Sequence, residues 1–156
     1  MEPESIGIKN HFGKEPIMNR IYEARWIKPD YEAGESASEF FRNFRMEKPV
    51  RHASLTVSAL GVYAARVNGE KVSYVLAPGW TSYHHRVQYQ EYDVTALIRT
   101  GENVLSITAA PGWRMPYAAL GGKPCADWAT EELSATEYAV IASLAVSYTH
   151  LTLPTT

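Results

Sequence analysis

The side chains able to carry out chemistry fall into a few groups. Asp127, Glu131, Glu132 and Glu137 form the densest acidic set, and Glu91 and Asp93 flank Tyr92. Glycoside hydrolysis by the usual route needs two carboxylates across a sugar, about 6.5–9.5 Å apart for inversion. Neither group is patterned for that task. Residues 127–137 read as a solvated loop or the start of a short helix. Glu91 reads as a strand-face residue, and Asp93 as a cap that accepts a bond from an orphan backbone N–H. His84 and His85 are adjacent, so on a strand they would point to opposite faces. Joint metal ligation needs convergent ligands at other spacings, and the pair reads as exposed loop histidines. Cys125, the single cysteine, has no motif around it. No catalytic residue, metal site or cofactor is expected in this chain.

The aromatic side chains offer more. Trp80, Tyr83, Trp113, Tyr117 and Trp128 all fall in segments that read as loops. Loops on a rigid scaffold are where binding residues concentrate. Flat rings stack on sugar faces, and Arg114 can donate to hydroxyls. Trp80, Tyr83, Trp113, Arg114 and Tyr117 are therefore the candidates for contact with carbohydrate. The competing reading is that Trp80 and Trp113 plug the scaffold or pack against a neighbouring domain. Pro-Gly-Trp occurs twice, at residues 78–80 and 111–113, which suggests two loops at one end of the fold.

The elements that would position these loops are strands. SEFFRNFRM at residues 38–46 alternates, with Phe40, Arg42, Phe44 and Met46 on one face and Phe41, Asn43 and Arg45 on the other. HASLTVSAL at residues 52–60 alternates less cleanly but is rich in strand formers. Residues 62–67 and KVSYVL at residues 71–76 flank Asn68-Gly69, a strong short-range hairpin signal. RVQYQEY at residues 86–92 reads as a strand with Val87, Tyr89 and Glu91 on one side. A helical turn through Ile98 follows Asp93. VLSITA at residues 104–109 is a buried strand, residues 114–137 a long loop, and residues 138–146 a last strand. Residues 23–29 read as a short extended piece, and residues 1–23 as a poorly patterned lead-in. About seven short strands with almost no helix predict an all-β fold, a β-sandwich of jelly-roll type.

Bulk properties agree. The chain has 156 residues, 46% of them hydrophobic. A domain of this length buries roughly 70% of the surface its unfolded chain exposes. Net charge is −2 with five neutral His, which leaves no footprint for nucleic acid or an acidic membrane. The apolar runs are a few residues long, against the roughly 20 a membrane helix needs. The first sixteen residues carry charge and proline where a signal peptide needs an apolar centre. With the single cysteine, this gives a cytoplasmic expectation.

The order LTVSALGVY, VNGEKV, LAPGWTSYHHRVQYQEYDVT, GENVL and PGW through residues 55–113 resembles the N-terminal module of bacterial α-L-rhamnosidases of glycoside hydrolase family 78. The fit extends over residues 24–145. The resemblance implies a galactose-binding-like β-sandwich and an inverting parent enzyme that hydrolyses terminal α-L-rhamnosyl residues. It also implies that the catalytic carboxylates lie in an α/α barrel of the same polypeptide, downstream of this module. That barrel is the expected partner, with rhamnose-containing glycans as the expected small ligands. Ala109-Ala110-Pro111-Gly112-Trp113 departs from the family's Gly-Asp-Gly-Trp, which voids any role for an acid there. The Asn-Gly hairpin, Asp-Val-Thr turn and Gly-x-Asn strand start also occur in sugar-binding-like domains of other glycosidases, such as β-galactosidase relatives. Two alternative readings are therefore such a domain and a carbohydrate-binding module. VSYTHLTLPTT at residues 146–156 resembles a translated sequencing adapter, which sets it apart as a non-native tail. On that reading the preceding strand is an open apolar edge, and poor solubility is expected.

Overall fold

Asn68 and Gly69 both take positive φ, +52° and +86°, as the central residues of a type I′ turn must. The structure is a computed structural model that describes residues 8–10, 21–31, 36–79, 86–112 and 138–148. Its strands are β1 (Ile8–Asn10), β2 (Ser38–Met46), β3 (Val50–Leu60), β4 (Val62–Val67), β5 (Glu70–Lys71), β6 (Gln90–Asp93), β7 (Gly101–Ala110) and β8 (Ala139–Tyr148). They form two four-stranded sheets, ordered β1-β8-β3-β6 and β2-β7-β4-β5. Every neighbouring pair is antiparallel except β1 and β8. The expected all-β sandwich is the fold observed.

The core lies between the sheets. Ala53, Leu55, Val57 and Ala59 of β3 sit opposite Val146, Leu144, Ala142 and Val140 of β8. These residues join Met46, Tyr63, Ala65, Val67, Leu105, Ile107 and Ala109 of the other sheet in one buried cluster. The weak alternation of β3 has a physical cause. Its other face carries Ser54, Thr56 and Ser58, which are 4%, 2% and 3% exposed. Two of these hydroxyls are satisfied, Ser54 on Glu91 Oε1 at 2.6 Å and Ser58 on the Gln88 carbonyl at 2.5 Å. Small polar side chains thus replace the exposed polar positions that clean alternation would show. Tyr138, 1% exposed, ties the start of β8 to the opposite sheet, its hydroxyl donating to the Ser36 carbonyl at 2.9 Å and hydrogen bonded to the Ser38 hydroxyl.

Four expectations need correction. KVSYVL is not a full strand, because β5 ends at Lys71. Val72 N–H still reaches the Ala65 carbonyl, but the Ser73 hydroxyl accepts the Ala65 N–H at 2.8 Å, so a side chain takes the place of the next rung. In RVQYQEY only Gln90 onward is strand; Gln90 and Tyr92 pair with the core-facing Val57 and Leu55. Residues 21–23 form a 3-10 turn, and only Ile27 of the extended piece pairs, exchanging two 2.9 Å bonds with Val140. Finally, β8 is not an open edge. β3 lies on one side, and on the other β1, from the lead-in, pairs with Leu144, Ala145 and Val146. The strand also continues through Tyr148, with Val146 buried and the Tyr148 hydroxyl 3.5 Å from Met46 Sδ.

A pair of asparagines locks the hairpin to the rest. Asn103 is 1% exposed. Its Oδ1 accepts from Arg99 N–H at 3.0 Å and from Asn68 Nδ2 at 2.8 Å. Its Nδ2 donates to the carbonyls of Arg99 at 2.7 Å and Gly101 at 2.9 Å. Asn68 Nδ2 also donates to the Leu97 carbonyl at 2.7 Å, and its Oδ1 accepts Val104 N–H at 2.9 Å. Asn103→Ala leaves these partners unpaired in a buried setting. It is expected to destabilise the domain by roughly 2–4 kcal/mol, read as a lower denaturant midpoint with unchanged slope. By contrast Arg45→Ala, which breaks the exposed 2.7 Å pair with Glu102, should leave that midpoint unmoved.

Candidate functional site

The start of β4 organises one end of the sandwich. Ala77 pairs with Tyr63 on one flank, with the Tyr63 N–H on the Ala77 carbonyl at 2.6 Å. On the other flank Pro111 and Gly112 lie against Gly61 and Val62. A Cβ on Gly112 would stand 2.5 Å from Val62 Cγ1, and one on Gly61 would stand 2.3 Å from the Ala110 carbonyl oxygen. Both glycines also have positive φ, +50° and +134°. Glycine is therefore required at each by space and by backbone alike. The two Pro-Gly steps accordingly flank the same strand end, as their repetition in the sequence suggests.

Beneath this end lies a buried polar network. The Tyr63 side chain faces inward, and its hydroxyl donates to Gln90 Oε1 at 2.8 Å and lies 3.0 Å from the Tyr92 hydroxyl. Gln90 Nε2 in turn donates to the Pro78 carbonyl at 3.2 Å. The network therefore runs from β4 through β6 to the first Pro-Gly step and joins the two sheets. Burial, and then the Tyr92 hydroxyl, push the Tyr63 phenol far above its ordinary value. Tyr74 lies over Tyr92, with ring centroids 6.5 Å apart and tilted by 55°, within the range of favourable aromatic pairs.

At the far end of β6, Asp93 accepts the Thr95 N–H at 2.9 Å and the Thr95 hydroxyl at 2.6 Å. These two bonds hold its carboxyl below the usual range. Asp93 therefore does the capping expected of it, although the residue at the N-cap position of the Thr95–Leu97 turn is Val94. Glu91 is occupied by Ser54. His52 Nδ1 stands 3.1 Å from Thr95 Oγ1 and 3.9 Å from Asp93 Oδ1. The shared hydroxyl bonds Asp93, so this exposed trio is a turn clamp. Among the described residues, no three His, Cys, Asp or Glu side chains gather as a metal site would require.

Trp80, Tyr83, Trp113, Arg114 and Tyr117 lie outside the described residues, as do His84, His85, Cys125, Asp127, Trp128, Glu131, Glu132 and Glu137. The described chain brings together the steps that lead into Trp80 and Trp113. Sequence reasoning missed Tyr63, Gln90 and Tyr92 as a unit. The available signal was VYAARV, where alternation puts Tyr63 on the same face as Ala65 and Val67, so a buried hydroxyl had to find a partner.

The fold defines the class, an all-β sandwich domain. A family model for the alpha-L-rhamnosidase N-terminal domain matches residues 48–154, and the chain belongs to that family. An α-L-rhamnosidase of Streptomyces avermitilis is 49% identical over 80 residues, covering 50% of this chain and 8% of its own length. The native α-L-rhamnosidase of Aspergillus terreus superposes with a TM-score of 0.66 at 29% identity, over 82% of this chain and 15% of that one. A Streptomyces avermitilis α-L-rhamnosidase complexed with L-rhamnose gives a TM-score of 0.62 at 38% identity, over 74% and 11%. The chain thus spans a small fraction of the length of these relatives.

Tyr63→Phe keeps the ring and removes the central hydroxyl, so a loss of about 1 kcal/mol is expected near neutral pH. A phenol whose folded pKa is raised contributes stability that is complete below the unfolded value of 10.0 and declines above it. Denaturation midpoints measured from pH 8 to 11 should therefore fall more steeply in the unaltered chain than in Tyr63→Phe.

Proposed function

We propose that this domain is the accessory sandwich of an α-L-rhamnosidase, and that bond cleavage belongs to another part of the same polypeptide. The carrying observation is the family match over residues 48–154, set beside a chain that spans 8% of a relative's length. The chemistry of the described side chains supports the division of labour. Of the acids singled out in the sequence, the two among the described residues are already engaged, Glu91 by Ser54 and Asp93 by Thr95.

On this reading the parent enzyme removes terminal α-L-rhamnosyl residues with inversion, through a carboxylate pair in a helical barrel. The sandwich packs on that barrel or shapes its surroundings. The Trp80 and Trp113 loops, with Tyr83, Arg114 and Tyr117, are the places where the domain could meet the glycan. The test compares two proteins on an aryl α-L-rhamnoside, with the product anomer followed by NMR. The full-length polypeptide is expected to release L-rhamnose with inverted configuration, and the 156-residue chain to release none. Turnover by the shorter chain would place the chemistry in the sandwich and overturn the reading.

A further inference from the structure

The turn after β5 holds three consecutive apolar side chains in solvent. Tyr74, Val75 and Leu76 are 78%, 71% and 53% exposed. Single exposed apolar residues are ordinary on a protein surface; a contiguous run marks an interaction site more often. A second, independent feature sits in the same turn. Leu76 has φ +57°, a left-handed conformation that a bulky residue with a Cβ rarely adopts. Strain of this kind persists only where the surroundings enforce it. Here Gly79 N–H holds the Leu76 carbonyl at 3.1 Å, Tyr63 N–H holds Ala77, and Gln90 holds Pro78. The turn is therefore fixed with its apolar side outward.

We propose that this turn is the point at which the domain docks against an apolar surface on the larger remainder of its own polypeptide. This rests on the reading of the chain as a rhamnosidase domain. The occupant follows from three considerations. The chain covers 8–15% of its rhamnosidase relatives, so domains of this family share a polypeptide with a far larger body. The aliphatic side chains of Val75 and Leu76 offer neither hydrogen bonds for sugar hydroxyls nor charge for a polyanion. A patch of three residues is also well short of the roughly 800 Å² per partner that a free-standing complex needs. Covalent linkage removes that requirement, because a tethered partner is present at high effective concentration.

The experiment uses the full-length polypeptide carrying Val75→Asp or, separately, Leu76→Gly. Glycine accepts the left-handed backbone without the Cβ clash, so the second variant removes the apolar side chain while sparing the domain's own fold. Amide hydrogen exchange of a peptide spanning residues 72–79 is expected to quicken about tenfold in both variants, with the core strands β3 and β7 unchanged. The proposal is overturned if that peptide exchanges alike in variants and parent. It is equally overturned if the variants instead abolish a dimer, or if the protection depends on added L-rhamnose. Activity on an aryl α-L-rhamnoside, measured on the unaltered polypeptide, reports separately on the functional reading.

Discussion

Asn103 is the constraint on which the rest of this domain depends. It is a buried amide whose oxygen accepts two hydrogen bonds and whose nitrogen donates two. No aliphatic side chain of similar volume could do this, and an aspartate could not supply the two donors. Through Asn68 the same amide reaches the hairpin between β4 and β5, and through Arg99 and Gly101 it shapes the approach to β7. Two stretches distant in sequence, the turn at Asn68 and residues 97–104, are thereby held at one corner. Apolar burial supplies most of the driving force for the sandwich, but it is non-directional. The asparagine pair decides where the hairpin closes and therefore how β4 is placed between β7 and β5.

The opposite end of β4 is where that placement bears on function. Tyr63 stands at the second residue of the strand, beneath two Pro-Gly steps, the second of which Gly61 and Gly112 let approach the strand closely. The Tyr63–Gln90–Tyr92 network stiffens the first of these steps from below. One end of β4 is thus locked by an amide pair and the other by a phenol. The loops that leave the second end start from fixed positions. This suits the accessory role proposed for the domain.

Much of this architecture was legible in the residues. β2 and β4 have the bounds that alternation implies, and Asn68-Gly69 makes the turn its type demands. The failures share a cause. KVSYVL alternates like a strand, yet the Ser73 hydroxyl replaces a backbone rung and the apolar residues beyond it point outward; periodicity does not register that substitution. β8 reads as an open edge in the sequence because the residues after it read as a non-native tail; its actual partner, β1, is three residues of weak pattern that pair from far away in sequence. The Tyr63 network was hidden for a similar reason, since its members are brought together only by sheet pairing and each looks ordinary alone.

Arg99 gives the most direct test of the asparagine lock. It follows a short 3-10 turn in an exposed stretch, where a backbone N–H would ordinarily exchange with solvent within seconds. Its N–H is instead held by Asn103 Oδ1, as that of Val104 is held by Asn68 Oδ1. Amide hydrogen exchange resolved at single residues should find both N–H groups among the slowest in the domain, opening only with global unfolding. Exchange of Arg99 as fast as that of its neighbour Thr100 would contradict the account.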